Sequence, residues 1–412
     1  VNRVAELTAG AVLTGKLAGL ARAAMTRPAY DYCAGAAGDE ATVARNVAAL
    51  DARLLTPRVL APPAGPGALR VAVPGGHLDA PVLVAPMGLQ ALCCPAAEVA
   101  SAAAAASLGL GFCLSMFSSR PVEEVAAHAG PGLRWQQIYL LRDRGVTDSM
   151  VARAVAASAS ALVVTVDVPV VGRRTRDLRN RFDRFASAAP AIVADPCFRR
   201  LLASRDGAAG DGTTSDGVAG GGVAGGGAAG DGEGRLLAEL FPNPGATWSD
   251  VERLVRRAGV PVLVKGVLDA GDARLAVAAG AAGVIVSNHG GRQFDRCIAA
   301  IDGLAPVVDA VGGEVPVLFD SGIRRGSHMA VALALGARAV LVGRPVLWGL
   351  AVAGEAGARL VLRTLVDDLA HVRDLVGPLD CLPVPGLPIP IPNVPNATAP
   401  GGTVPGGGCA RG

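Results

Sequence analysis

Eight times between residues 80 and 350 the chain repeats one pattern: a short apolar run, a polar or glycine turn, then an Ala-rich stretch with helical spacing. The runs fall at 82–85, 112–114, 133–137, 162–166, 262–264, 284–286, 317–319 and 340–342. Strands that alternate with helices pair in parallel through right-handed crossovers. Eight such units close on themselves, whereas five or six leave an open sheet. The pattern predicts an α/β chain folded as a (β/α)8 TIM barrel over about 80–350, preceded by an N-terminal helical segment. A doubly wound open sheet is the alternative. Hydrophobic residues make up 51% of the chain and aromatics only 3%, so the core is built of Ala, Val and Leu, as small-residue helices on aliphatic strands require.

The charge is balanced, with 38 Lys plus Arg against 35 Asp plus Glu and a formal net charge of +3, which predicts no nucleic-acid or membrane-surface partner. The eight cysteines, at 33, 93, 94, 113, 197, 297, 381 and 409, form no C-x-x-C pair and no metal-ligand spacing. They read as reduced thiols of a cytoplasmic protein without a metal. The uncharged stretch 99–119 is long enough to cross a bilayer but is dominated by Ala, Ser and Gly and broken at Gly109-Leu110-Gly111; it predicts a helix then a strand, not a membrane span. The opening residues predict no secretory signal. Residues 207–234 are almost all Gly, Ala and Asp and cannot bury enough apolar surface to order themselves, so they predict a mobile surface insertion after the fourth strand. Such an insert is tolerated, because doubling a loop costs only about 0.6 kcal/mol. The Pro- and Gly-rich residues 383–412 predict a disordered tail, leaving one domain over 1–382.

Polar residues stand behind these runs, and in a closed barrel all C-terminal strand ends face one mouth. Behind the sixth run, Ser287-Asn288-His289-Gly290-Gly291-Arg292-Gln293-Phe294-Asp295 sets a titratable base beside a permanent cation on slim backbone, and the cation invites a carboxylate. Behind the seventh and eighth, Asp320-Ser321-Gly322-Ile323-Arg324-Arg325-Gly326 and Gly343-Arg344-Pro345 combine glycines with arginines where such barrels bind phosphate. Taken singly, each motif also fits a hydrogen-bonded loop or a tight turn with solvated arginines. Their convergence on one rim favours a site for a phosphorylated ligand. Lys265 is one of only two lysines, with Lys16, and a compact point charge at a strand end suits an anionic cofactor ring.

The 287–295 stretch, with Thr165-Val166-Asp167, Gly172-Arg173-Arg174, Gln137-Ile138-Tyr139, Val264-Lys265-Gly266 and the two phosphate loops, resembles the FMN-dependent 2-hydroxy-acid oxidases and dehydrogenases. Glycolate oxidase, lactate oxidase, mandelate dehydrogenase and the flavin part of the flavocytochrome lactate dehydrogenases belong there, and the likeness runs from about Tyr30 to about Gly377. The resemblance implies FMN-dependent oxidation of an (S)-2-hydroxy acid to the 2-oxo acid, with reoxidation by oxygen, forming peroxide, or by another acceptor. It implies that His289 is the base, Asp167 its orienting carboxylate and Tyr139 the phenol that meets the substrate oxygen. Arg174, Arg292 and Tyr32 would hold the substrate carboxylate. Pro86, Met87, Gly88, Ser115, Gln137, Thr165 and Lys265 would hold the flavin ring, and Ser287, Asp320, Gly322, Arg324, Gly343 and Arg344 the ribityl phosphate. A homotetramer or larger homo-oligomer is the family habit.

Some positions depart from the commoner family pattern. Phe117 stands where glycolate oxidase-like members carry Trp, Cys94 replaces a His and is assigned no catalytic role, and Met116 and Ser321 replace more usual residues near flavin and phosphate. Gly88 stands where many oxidases have Ala; the missing methyl is expected to open space and favour larger or aromatic hydroxy acids. Three other functions compete. A flavin barrel oxidase of an amino compound or natural-product intermediate would need a different product. A noncatalytic FMN scaffold would lack the base, and a nucleotide-phosphate barrel of the IMP dehydrogenase type would carry a nucleophilic Cys where His289 stands.

Overall fold

The computed structural model describes residues 6–57, 59–60, 67–209 and 231–379. A hairpin of β1 (Val71–Val73) and β2 (Gly76–Leu78) precedes eight parallel strands: β3 (Val82–Val84), β4 (Gly111–Leu114), β5 (Arg134–Ile138), β6 (Ala161–Thr165), β7 (Val262–Val267), β8 (Gly283–Val286), β9 (Val317–Phe319) and β10 (Val340–Val342). They close in the order β10-β3-β4-β5-β6-β7-β8-β9, so every predicted run is a barrel strand and the open-sheet alternative is excluded. The apolar runs mark the strands to within a residue or two, with one informative exception. Pairing on β7 continues past its apolar stretch, so Lys265 lies inside the strand, opposite Thr165 of β6 and Ile285 of β8. Backbone hydrogen bonding, not side-chain polarity, sets where a strand ends.

Side chains alternate across this wall. Leu83, Cys113, Val163, Leu263, Ile285, Leu318 and Leu341 fill the barrel, while Val82, Val84, Phe112, Leu162, Val264 and Val284 face the helices. Both faces are buried, and each fully buried aliphatic side chain contributes about 1.5–3 kcal/mol. The hairpin plugs the N-terminal end: Val73 and Leu78 join the inner cluster, and Trp135 Nε1 donates to the Pro74 carbonyl at 3.1 Å. The opposite, C-terminal mouth is left for the site.

Stretch 99–119 becomes the helix Ala97–Ala106 followed by β4, as expected. The helix Arg344–Val376 is long and apolar enough to cross a membrane by length and composition. However, it is interrupted at Ala353 and Gly354 and buries Leu350, Val361, Leu365 and Leu369, which makes it a core helix of the barrel wall. Four N-terminal helices, Ala9–Leu13, Leu17–Ala24, Arg27–Ala34 and Ala41–Asp51, lead into the barrel. The glycine-rich insertion is narrower than its composition suggests. Residues 207–209 and 231–234 belong to the helices Pro196–Ala209 and Asp231–Leu240; three of these seven are glycines, so propensity does not explain them, and tertiary packing through the buried Leu236, Leu237 and Leu240 anchors the second helix. The remainder of that segment and the expected tail lie outside the described residues.

Candidate active site

A cavity with about 1270 Å³ of empty space, its open mouth included, occupies the C-terminal end of the barrel. Every site residue expected from the sequence lines it except Asp167 and Ser287, which stand directly behind His289 and Lys265.

His289 begins a turn in which it, Gly290 and Gly291 all take left-handed backbone conformations, with φ of 57°, 63° and 76°. For a non-glycine residue this conformation costs of order 1–3 kcal/mol and persists only where the surroundings enforce it. Here Ser321 Oγ accepts from the Asn288 and Gly290 amides at 3.3 and 3.1 Å and donates to Asp320 at 2.8 Å. Asn288 Oδ1 accepts from the Gly291 amide, and Asn288 exchanges amide hydrogen bonds of 2.9 and 2.7 Å with the buried Asn46 of helix Ala41–Asp51. The turn aims His289 so that Nδ1 meets Asp167 Oδ1 at 2.9 Å, which leaves Nε2 for a substrate proton. Burial alone would raise the Asp167 carboxyl, but the charge of His289, its hydrogen bond and Lys265 hold it below the ordinary aspartate value. Asp167 is therefore an anion at neutral pH.

Two guanidinium groups face the same space. Arg292 is anchored by the carbonyls of Tyr32 and Gly35, at 2.7 and 2.9 Å, and stacks over the Tyr32 ring at 5.0 Å. Arg174 also approaches that ring, at 5.9 Å from its centroid. Burial, with the neighbouring Asp167, pushes the Tyr139 phenol well above its usual value, so it stays a donor.

The FMN implied by the resemblance fits unsatisfied groups of this cavity. Gln137 Oε1 accepts from the Met116 amide and the Ser115 hydroxyl, but Gln137 Nε2 is buried with no partner, and so is Thr165 Oγ1. Such orphans are rare unless a ligand completes them. Lys265 Nζ lies 2.8 Å from both Ser287 Oγ and Asp320 Oδ2. At the phosphate end, burial lowers Arg324 to about 10, and burial beside Arg292 and Arg324 drives Arg344 well below its ordinary value. Crowded, desolvated cations of this kind call for an anion. Gly322, at φ 94°, lets helix Ala41–Asp51 pack close behind this end, since a Cβ would lie 2.7 Å from the Asn46 carbonyl.

Sequence reasoning missed three features. Asn46, which does not line the cavity, and Ser321, which does, hold the histidine turn. Phe241 forms an aromatic wall with Tyr139, at 4.5 Å between ring centroids, and with Phe117 at 4.9 Å; Phe117 in turn stacks on Tyr139 at 5.3 Å and meets Phe185 at 6.1 Å. Gly88 is also corrected: a methyl there would lie 2.8 Å from the Phe117 carbonyl, so the glycine admits close backbone packing and does not enlarge the pocket. Met116 is fully buried behind the cavity, its sulfur accepting from the Tyr139 amide at 3.2 Å.

The chain matches the FMN-dependent dehydrogenase family over residues 21–380. It is 41% identical over 363 residues to an L-lactate oxidase of Nostoc sp. strain PCC 7120, covering 87% of this chain and 92% of that protein. It is 41% identical over 359 residues to glycolate oxidase 1 of Zea mays, covering 87% and 90%. A mandelate oxidase crystal structure with 3,3-difluoro-2-hydroxy-3-phenylpropionic acid superposes with a TM-score of 0.74 at 36% identity, covering 90% of this chain and 98% of that one.

Proposed function

The chain belongs to the FMN-dependent dehydrogenase family and is an FMN-dependent 2-hydroxy-acid oxidising enzyme; we propose that His289, Asp167, Tyr139, Arg174, Arg292 and Tyr32 carry out that oxidation, on an (S)-2-hydroxy acid with a large apolar or aromatic side chain. FMN, when bound, would supply the acceptor for the two electrons. Arg174 and Arg292 neutralise the substrate carboxylate, which otherwise opposes negative charge gathering on the adjacent carbon, and they fix that carbon in place. His289 takes, at Nε2, the proton released as the alcohol becomes a ketone. Asp167 stabilises the resulting imidazolium across the 2.9 Å contact. Tyr139 donates to the substrate oxygen, and Lys265 would supply positive charge where a bound flavin gathers negative charge. Gln137, Thr165 and the backbone of 86–88 hold the ring, and Arg324, Arg344, Gly322 and Gly343 the phosphate. The observation that carries this reading is the His289–Asp167 pair opening onto the same cavity as both arginines.

Anaerobic mixing of the FMN-loaded protein with lactate, glycolate and mandelate tests it. The flavin absorbance is expected to bleach, with the 2-oxo acid formed in equal amount, and persistence of the yellow colour with all three overturns the assignment. We take oxygen as the acceptor, with peroxide released, which the oxidase relatives support, and a cytoplasmic homotetramer or larger assembly, which the family resemblance implies. Peroxide measured in air and light scattering check them.

The aromatic wall supports the preference for a large side chain. Each aromatic pair is worth about 0.5–1.5 kcal/mol beyond area, and one lost apolar contact in a pocket shifts discrimination about 10-fold or more. Phe241→Ala is therefore expected to lower kcat/KM for mandelate about 10-fold relative to glycolate. Equal losses on both substrates would mean that Phe241 supports the fold without reading the side chain.

A further inference from the structure

Cys33 and Cys93, 60 positions apart, bring their sulfurs to 3.9 Å. Cys33 follows Tyr32 in the last turn of helix Arg27–Ala34, is buried, and touches the cavity. Cys93 ends the short turn Gln90–Leu92 just beyond the cavity-lining residues 86–88. The oxidation of the hydroxy acid uses neither. A disulfide needs its sulfurs at about 2.05 Å, so a closure of roughly 2 Å at a helix end and a short turn joins them. The two thiols differ in character. The hydrogen bond from Cys93, with Arg292 and Arg344 nearby, holds Cys33 below the usual thiol value despite its burial, whereas the same bond and burial push Cys93 well above it. Pairs of this kind divide into an attacking and a resolving thiol.

We propose that Cys33 and Cys93 are a reversible dithiol site oxidised by hydrogen peroxide. The Cys33 sulfur attacks peroxide, the O–O bond breaks, one water leaves and Cys33 becomes a sulfenic acid. The Cys93 sulfur then displaces the sulfenic oxygen as a second water and the S–S bond forms. In total two thiols give up two electrons and two protons, and one peroxide becomes two waters. The link ties the helix that carries Tyr32 to the turn that follows the cavity-lining residues 86–88, so its formation slows turnover until a thiol reductant reverses it. Peroxide is also the product expected of reoxidation by oxygen, but supplying it from outside tests the pair whether or not the chain makes it.

The experiment treats the FMN-loaded full chain with hydrogen peroxide without substrate, blocks remaining thiols and maps peptides under non-reducing conditions. The expected results are a Cys33–Cys93 link and a several-fold loss of kcat/KM, both reversed by dithiothreitol. In Cys93→Ser the link is absent and Cys33 is trapped as sulfenic acid by dimedone, while Cys94→Ser forms the link normally. Retention of both thiols, a link through Cys94, or unchanged kcat/KM in the linked protein overturns the proposal. The wild-type map decides even if a variant fails to fold.

Discussion

His289→Gln is expected to purify yellow, yet a 2-hydroxy acid reduces its flavin roughly 10²- to 10⁴-fold more slowly than in the parent, the worth of one positioned base. Glutamine preserves a polar head of similar reach but accepts no proton at neutral pH. FMN is retained because the contacts assigned to it arise from other strands, chiefly Gln137, Thr165 and Lys265. Asp167→Asn provides the companion measurement. It keeps a group able to accept from Nδ1 but removes the charge, so the base survives while its protonated form loses stabilisation, and the rate is expected to fall by less than in His289→Gln. Rapid-mixing absorbance under anaerobic conditions reads both variants. Reduction at the parental rate in His289→Gln would remove the histidine from the reaction. A colourless preparation would instead place it in cofactor binding.

What the sequence discloses here follows from how each feature is encoded. The barrel strands are local: β3 to β10 each concentrate apolar residues over a few positions, and eight repeats of one unit limit the topology. The mouth residues are legible for a related reason, because a polar residue at the end of a barrel strand has its direction set by the fold. His289, Asp167, Lys265 and Arg292 therefore converge although 125 positions separate Asp167 from Arg292. Asn46 carries no such mark, and the position of Ser321 behind β9 does not disclose that it braces the histidine turn. The Asn46–Asn288 pair spans 242 positions, and neither side of it differs in pattern from an ordinary helix or loop asparagine. Phe241 was equally hidden, since it follows the glycine-rich insertion and gains meaning only when its chain returns against Phe117 and Tyr139. Gly88 shows the opposite failure. Its position was right but its consequence was reversed, because an absent side chain makes space only if no backbone already fills it.

Lys265→Met is expected to cost about 3–5 kcal/mol, the usual penalty for breaking a buried ion pair from one side. Lys265 and Asp320 are 4% and 7% exposed and 2.8 Å apart, so removing the ammonium strands a carboxylate with chiefly the Ser321 hydroxyl to bond it. Burial alone would lower the Lys265 pKa, but Asp320 and Asp167 raise it above the ordinary 10.5. The stabilisation from this group is therefore complete below pH 10.5 and is lost only as pH climbs through the raised folded value, so the deficit of the variant persists throughout neutral buffers. Adding Asp320→Asn to Lys265→Met removes both charges, and since eliminating a whole buried pair is often near neutral, most of the lost stability is expected to return. Flavin reduction should not return with it, because no cation then faces the ring. Denaturation midpoints and anaerobic reduction rates for the parent, both single variants and the double variant separate these contributions. A double variant as unstable as Lys265→Met would show that the lysine acts through packing and not through Asp320. One that reduces its flavin at the parental rate would confine Lys265 to neutralising the aspartate.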